Sequence, residues 1–325
     1  MYVEISQIAL ARGDVDAAVE NVRRSQAFGE RLGLPQNPYR WRLVMARIRQ
    51  LQGDLAGALD LVEEAQRVYV GDFTPPVRPV PAVRARVLAA AGDIAGAWGW
   101  AGAHGVDADD DLAYVREFEH ITLARVLLAQ NARRRPPTAL GRAAGLLHRL
   151  LAAADDGGRV GSVIEILVLQ ALTLHARGDA PAAMAALERG LELAEPEGHV
   201  TVFASEGRPM ATLLTAAAAR RPGSGYLSRL VAACTVTGIV ARDRASSPAL
   251  QRPVLVAPLS ARELAVLRLL ASDLNGPEIA RELMVSLNTV RSHTSSIYAK
   301  LGVNSRRAAV RQASDLDLIT QHVTR

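Results

Sequence analysis

The chain has 325 residues, of which 49% are hydrophobic and only 4% aromatic, and its formal net charge is +5. This length allows about two or three domains, and the shortage of aromatic residues favours helices packed through small side chains. The single cysteine, Cys234, excludes an internal disulfide and fits a reducing compartment. No apolar run reaches the roughly 18 uncharged residues typical of a membrane span, and the N-terminus lacks a signal-peptide layout. We therefore expect a cytoplasmic protein without membrane association.

A Gly-Asp pair recurs along the first two hundred residues. Each pair suits a helical hairpin corner, because Gly can end one helix in a left-handed conformation and Asp can cap the next. An alanine stands five residues after each Gly, and a second apolar residue stands nine after it. The pairs begin at Gly13, Gly53, Gly92 and Gly178, the alanines are Ala18, Ala58, Ala97 and Ala183, and the later residues are Val22, Val62, Ala101 and Leu187.

The spacing of the pairs, about 40 residues and then about two such periods, predicts five helix pairs in an α-solenoid similar to tetratricopeptide-type repeats. The missing corner is expected at Pro136-Pro137-Thr138, between helices near 110–131 and 138–154. The acidic segment Asp107–Asp111 is expected to cap the helix Leu112–Gln130. A curved array of this kind can bind a peptide, a small effector or another subunit, or it can only space two modules. We expect it to bind an effector or a protein.

Residues 257–325 show a second pattern, after a linker predicted at 237–256. Ser260 with Glu263 and Asn275 with Glu278 form two capping boxes that begin two helices. Ser286 caps a third helix, which should run to Leu301 and stop at Gly302. Ser305 begins a fourth helix that carries Val310, Ala313 and Leu316.

The third helix has three faces when its residues are placed at 100° intervals. The predicted buried stripe consists of Val290, Thr294, Ile297 and Leu301. The N-terminal part of such a helix lies in the major groove in helix-turn-helix proteins. Arginine can pair with guanine and asparagine with adenine, while hydroxyls and amines bind phosphate. We therefore assign base contacts to Asn288, Arg291, Ser292 and Ser295, and phosphate contacts to Thr289, His293 and Lys300.

The distribution of charge agrees with an interaction with DNA. Residues 1–198 carry 22 arginines against 25 acidic residues. Residues 199–256 carry seven arginines against two acidic residues, and residues 257–325 carry nine basic against six acidic residues. The positive charge is thus concentrated in the helix-turn-helix segment and the segment before it, as nucleic-acid binding requires.

The C-terminal segment resembles the LuxR-type DNA-binding domain. The resemblance implies a four-helix domain that binds DNA as a dimer, often pairing through its fourth helix. Ala261, Asp273 and Ser295 depart from residues that are usual in the family, and the last two weaken the attraction to phosphate. The matching residues are Leu259, Ser260, Arg262, Glu263, Val266, Leu267, Glu278, Ile279, Ala280, Leu283, Ser286, Thr289, Val290, His293, Ile297, Lys300, Leu301, Gly302, Val303, Ser305 and Arg306.

Residues 199–236 resemble the segment that closes the helical repeats in the large ATP-dependent LuxR regulators of the maltose-activator type. Those regulators place an ATPase module before the repeats. Lys300 is the only lysine here and no Gly-x-x-x-x-Gly-Lys-Ser/Thr motif occurs, so no P-loop and no nucleotide cofactor are expected. A truncated gene, a fragment, or an ATPase on another chain would explain this. No metal-ligand cluster or nucleophile–base pair stands out, and we predict no enzyme.

Together these patterns predict an all-α protein, a tetratricopeptide-like solenoid followed by a four-helix LuxR-type helix-turn-helix domain. The predicted regions are the repeat array at 1–198, its closing helices at 199–236, the linker at 237–256 and the DNA-binding domain at 257–325. The expected function is transcriptional regulation through double-stranded DNA, at an inverted repeat, by a homodimer under the control of the repeats, with RNA polymerase as a plausible partner. The alternative is a truncated regulator that acts as a protein-interaction scaffold while its DNA-binding domain is idle.

Overall fold

A computed structural model of the chain describes residues 1–71, 76–134, 137–234, 260–272 and 274–301, together with 303, 305–306, 309–310 and 313. The chain forms two compact units, Met1–Arg244 and Ala245–Arg325. The predicted linker at 237–256, Asp273, Gly302 and Leu316 lie outside the described residues, and the predicted region boundaries stay predictions. The described residues contain helices and no strand, so the all-α prediction is confirmed.

The first unit is a succession of five antiparallel helix pairs. A short 3-10 turn, Tyr114–Arg116, comes before the seventh helix. Consecutive helices pack against each other along the chain, as in a solenoid. The ten helices are α1 (Tyr2–Ala11), α2 (Val15–Leu32), α3 (Asn37–Leu51), α4 (Leu55–Arg67), α5 (Val80–Ala91), α6 (Ile94–Ala103), α7 (Glu117–Arg134), α8 (Pro137–Asp156), α9 (Val160–Ala176) and α10 (Ala180–Ala194).

The four Gly-Asp corners have the predicted geometry. Their glycines adopt φ values of +82°, +74°, +82° and +84°, which L-residues disfavour. Each following aspartate caps the next helix; for example, the Asp14 carboxylate accepts a hydrogen bond from the Ala17 N–H at 2.9 Å. The alanines five residues after each Gly have no exposed surface, and the same is true of Val22, Val62 and Leu187. The repeats therefore pack through a fixed small residue followed by a larger apolar one.

The acidic segment before α7 differs from the prediction. The helix begins at Glu117 rather than near residue 112, and Asp107 and Asp110 do not cap it. Instead, the Asp107 N–H donates to the Asp110 carboxylate at 2.9 Å, and Arg142 donates to both oxygens of Asp107. The buried His120 contacts Asp110 through Nε2 at 3.2 Å. Contacts from α7 and α8 thus hold this segment as a loop, which local sequence does not reveal.

The closing helices bring the two ends of the array together. They are α11 (Thr201–Ala204), α12 (Gly207–Arg220) and α13, which covers 225–234. The Val200 N–H donates to the Ala11 carbonyl at 2.7 Å, and Arg12 Nε donates to the Glu197 carbonyl at 3.2 Å. The array is therefore curved enough for its first helix pair to contact its closing segment. The helices α1, α3, α5, α7 and α9 line a cavity of about 1820 Å³ inside this curve.

The second unit contains α14 (Ala261–Leu270), α15 (Gly276–Glu282) and α16 (Leu287–Leu301). Both predicted capping boxes are present, Ser260 with Glu263 and Asn275 with Glu278. Of the predicted fourth helix, the buried Ala309 and Ala313 contribute to the core. The other buried residues of this core are Val266, Leu267, Leu270, Ile279, Ala280, Val290 and Ile297.

Candidate nucleic-acid interface

The interface is built on the turn between α15 and α16. Met284 adopts φ +51° in this turn, the only positive φ of a non-glycine residue in the described part of the chain. The Val285 N–H donates to the Ala280 carbonyl at 2.9 Å, which closes the end of α15. Ser286 then accepts a hydrogen bond from the Thr289 N–H at 3.1 Å and begins α16. This helix, turn and helix arrangement confirms the order of elements predicted from the caps.

One face of α16 holds the helix in place. Val290 is 3% exposed and Ile297 has no exposed surface. Thr294 is half-buried, and its hydroxyl donates to the Val290 carbonyl at 2.8 Å. The side chain of Leu301, the fourth residue of the predicted stripe, lies outside the described residues.

The opposite face of α16 presents polar side chains to solvent. Asn288, Arg291, Ser292 and Ser295, the residues predicted to contact bases, are all exposed. None of the four forms a side-chain hydrogen bond or ion pair with another described residue. Because the buried stripe fixes the helix, these side chains share one outward face and keep their hydrogen-bonding groups available to a ligand.

The residues predicted to contact phosphate are less uniform. Thr289 and His293 are half-buried at the edge of this face, and the Thr289 hydroxyl lies 2.8 Å from the Ser286 hydroxyl. Lys300 has its ammonium group 2.7 Å from Oε2 of Glu263, and its side chain is 27% exposed. A phosphate would therefore have to compete with a carboxylate of the same unit for this lysine.

Glu263 links α14 to α16, a role that the capping pattern did not predict. Its carboxylate accepts hydrogen bonds from Lys300 at 2.7 Å, from the Ser296 hydroxyl at 2.6 Å and from the Ser260 N–H at 2.7 Å. The side chain is buried, and these hydrogen bonds, led by that from Lys300, lower the pKa of Glu263 to about 2. The carboxylate thus stays ionised and fixes α16 against α14.

Arg306 makes a second link that the sequence did not predict. Its guanidinium donates to the carbonyls of Leu270 at 2.8 Å, Leu274 at 2.6 Å and Ser272 at 2.5 Å. Carbonyls at the end of a helix lack partners within it, and a cation there also complements the helix dipole. Arg306 therefore secures the end of α14 and the connection to α15.

The remaining chemistry of the described residues is limited. No group of three or more histidine, cysteine, aspartate or glutamate side chains among them is arranged to hold a metal ion. Within the same residues, no helix has the length and apolar character that crossing a membrane demands. The buried Cys234 has its pKa raised by burial to about 11, which keeps it a thiol at neutral pH.

Two family models match the chain. Residues 1–220 match the MalT-like TPR region, and residues 257–313 match the model described as bacterial regulatory proteins, luxR family. The first match alone covers more than half of the chain, and it includes the helix pairs and the closing helices α11 and α12.

Curated proteins are similar over a short part of the chain. The probable transcriptional regulatory protein NarL from two strains of Mycobacterium tuberculosis is 50% identical over 64 residues, which are 19% of this chain and 30% of NarL. The HTH-type transcriptional regulator MalT from Serratia proteamaculans is 39% identical over 69 residues, which are 21% of this chain and 8% of MalT. The chain thus matches less than a third of the length of these relatives. The chain therefore belongs to the family of proteins with a MalT-like TPR region, and it carries a C-terminal domain of the luxR family of bacterial regulatory proteins.

Proposed function

We propose that this protein regulates transcription by binding double-stranded DNA through α16. The observation that carries the proposal is the outward face formed by Asn288, Arg291, Ser292 and Ser295, which is exposed while the opposite stripe is buried. A helix of this kind fits the major groove of B-DNA. The similarity to NarL and MalT, both named as transcriptional regulators, supports this function, and it favours a regulator over an enzyme.

Within this proposal, the outward face contacts base edges and its border contacts the backbone. Arg291 has the guanidinium geometry for a bidentate contact with guanine, and Asn288 has the amide for adenine. Thr289 and His293 are half-buried at the border of this face, and in this proposal they contact phosphate oxygens. Lys300 joins them only if phosphate displaces it from Glu263.

We further propose that two copies bind an inverted repeat, with the repeat array deciding when they pair. Two-fold protein symmetry requires half-sites on one face of the DNA, about one helical turn apart. An effector or a protein bound by the array would shift the balance between unpaired and paired copies. RNA polymerase is a plausible partner of the DNA-bound form.

The decisive experiment selects bound fragments of the source genome with the purified full-length protein and, in parallel, with Arg291→Ala. We expect enrichment of a short inverted repeat that the variant loses, with a loss in affinity of about 1–3 kcal/mol at the contacted base pair. Arg268→Ala is the matched control, because Arg268 is also exposed but lies on α14. If the variant bound all DNA sequences equally more weakly, Arg291 would contact phosphate rather than a base. Absence of any enriched sequence would contradict base recognition.

The role of Lys300 is tested by the salt dependence of DNA binding in Lys300→Gln. If Lys300 contacts phosphate, the slope of log K against log salt concentration should fall by about one. If Lys300 stays on Glu263, the slope should not change. Ser296→Ala serves as the control, because it removes a different hydrogen bond to the same carboxylate without removing a charge.

A further inference from the structure

The cavity of the repeat array has an unusual lining for a space inside a protein. Among the described residues, six arginines and three glutamates line it, with no aspartate or lysine. The carboxylates are those of Glu4, Glu165 and Glu206. The cavity therefore has an excess of positive charge, although residues 1–198 as a whole contain more acidic than basic residues.

Two of these arginines are held by carboxylates. Arg86 donates to Glu165 Oε1 at 2.7 Å and to the Thr122 hydroxyl at 2.8 Å. Arg125 contacts the same Glu165 oxygen at 3.0 Å and Glu206 at 2.6 Å. Burial raises the pKa of Glu165, but Arg86 and Arg125 outweigh it and hold this pKa far below its ordinary value. The charges of this network are thus paired within the protein, and its side chains form a fixed part of the cavity lining.

Arg47 and Arg78 are different. Both line the cavity and both are exposed, yet neither forms an ion pair with a carboxylate of the described residues. The pKa of Arg47 is lowered, first by desolvation and then by the neighbouring charges of Arg78 and Arg125, against the opposing effect of Glu165. Two guanidinium groups thus line the same cavity without an ion pair to a carboxylate of the described residues, an arrangement that an anion would stabilise.

The wall beside these charges is apolar and aromatic. The Phe118 ring lies beneath the Arg86 guanidinium at 3.7 Å and near that of Arg78 at 5.7 Å. Leu43, Val83 and Leu128 also line the cavity. A few charged groups set in a mainly apolar concave surface are typical of small-molecule sites.

We propose that this cavity binds a small organic anion, either a phosphate monoester or a dicarboxylate, with its charged group on Arg47 and Arg78 and its body against the wall formed by Phe118 and its apolar neighbours. The excess of guanidinium groups over carboxylates selects for the anion, and the enclosure by the closed array selects for a small molecule. The proposed anion site does not depend on the proposed DNA-binding function. Only the idea that this anion is the effector that controls DNA binding rests on that function.

The proposal is tested by thermal unfolding of the full-length protein without DNA, followed by the fluorescence of its tryptophans, all of which lie in the array. The probes are inorganic phosphate, malonate and glucose 6-phosphate, with glucose as the neutral analogue and sodium chloride keeping the ionic strength constant. We expect a saturable rise in the unfolding temperature with phosphate compounds or with malonate, and none with glucose, because a ligand stabilises the state that binds it. The stronger of the two responses identifies the class of anion.

The double variant Arg47→Gln/Arg78→Gln should fold, because it leaves the network around Glu165 intact, and should raise the apparent Kd about tenfold or more. Arg24→Gln is the matched control, because Arg24 pairs with Glu20 at the surface of α2 and does not line the cavity. Equal affinity in the double variant and the wild type would overturn the proposal. The proposal would also be overturned if chloride alone raised the unfolding temperature equally, or if no anion raised it. Protection by hexaglutamate but by no small anion would likewise overturn it and would indicate an acidic protein partner.

A failure of this proposal is distinguishable from a failure of the proposed function. Anion binding is measured without DNA, and fragment selection measures DNA binding without an added anion. If both succeed, adding the bound anion to the DNA selection should change the recovery of the inverted repeat.

Discussion

Arg291 of the second unit and the largely buried arginine pair of the array serve different purposes. In the second unit, Arg291 is exposed on α16 and has no ion pair with a described residue. In the array, Arg86 and Arg125 are 17% and 21% exposed and share the carboxylate of Glu165. The first kind of arginine is free to bind another molecule, whereas the second kind is part of the structure that encloses the cavity.

This difference predicts which substitutions change the binding of another molecule and which change the stability of the fold. A solvated side chain can be replaced with little effect on folding, because water already satisfied it in the folded state. A buried ion pair behaves otherwise, since removal of one partner leaves the other charged and desolvated. In each unit a carboxylate accepts hydrogen bonds from other helices, Glu165 in the array and Glu263 in the helix-turn-helix, and substitutions at these two positions test the difference.

The largest effect is expected for Glu165→Gln. This change leaves Arg86 and Arg125 without their shared carboxylate, and we expect the array to lose about 3 kcal/mol of unfolding free energy. Urea unfolding followed by tryptophan fluorescence measures this, because the tryptophans lie in the array.

The matched control is Glu20→Gln, in which the lost partner, Arg24, is 56% exposed. An exposed pair of this kind contributes about 0.5 kcal/mol or less. Similar losses for the two variants would show that the network around Glu165 is as well hydrated as the surface.

A smaller effect, with a characteristic pH dependence, is expected for Glu263→Gln. Gln can keep the capping box but loses the charge that holds Lys300, so the second unit should lose about 1.5 kcal/mol. Because the pKa of Glu263 falls from 4.5 to about 2 on folding, its contribution is present above about pH 4.5 and is lost as the pH falls toward 2.

Amide hydrogen exchange of α14 and α16 in the full-length protein measures this change at neutral and acidic pH. The difference in protection between wild type and variant should shrink as the pH falls through that window. A difference that stays constant would mean that the charge of Glu263 does not contribute.

The closure of the array is tested by a pair of glycine substitutions. Gly13 and Gly178 have φ values of +82° and +84°, so alanine at either position should lose about 1 kcal/mol through backbone strain. A Cβ at Gly13 would also lie 3.2 Å from Val200 Cγ1, whereas a Cβ at Gly178 would have no described atom beyond its own chain neighbours within 4 Å. We therefore expect Gly13→Ala to be the more destabilising of the two in urea unfolding, and equal losses would indicate that the contact with Val200 relaxes freely.

The smallest effect on folding is expected for Arg291→Ala. Its side chain is exposed, so the unfolding free energy of the second unit should change by about 0.5 kcal/mol or less. Hydrogen exchange of α16 provides this measurement on the same protein that is used for DNA selection. A large loss of protection would mean that reduced DNA binding reflects a damaged helix rather than a lost contact.

The sequence by itself determined the local features of this protein. The Gly-Asp corners, the capping boxes and the faces of α16 depend on residues within a few positions of each other, where backbone conformation and helical periodicity decide the outcome. The exposure of Asn288 and the burial of Ile297 follow from their angular separation on one helix. The match of Ser305 and Arg306 to the motif was visible too, but not that Arg306 bonds to the carbonyls at the end of α14.

Only the tertiary structure decided which distant residues meet. Glu165 on α9 contacts Arg86 on α5 and Arg125 on α7, and Lys300 turns to Glu263 across the core of the second unit. The same holds for the contact between Ala11 and Val200, which closes the array around its cavity. Small rotations between successive helix pairs add up along a solenoid, so packing over the whole array fixes its curvature and no local pattern encodes it. The curvature therefore determines which charged residues meet when they lie 40 or more positions apart in the array.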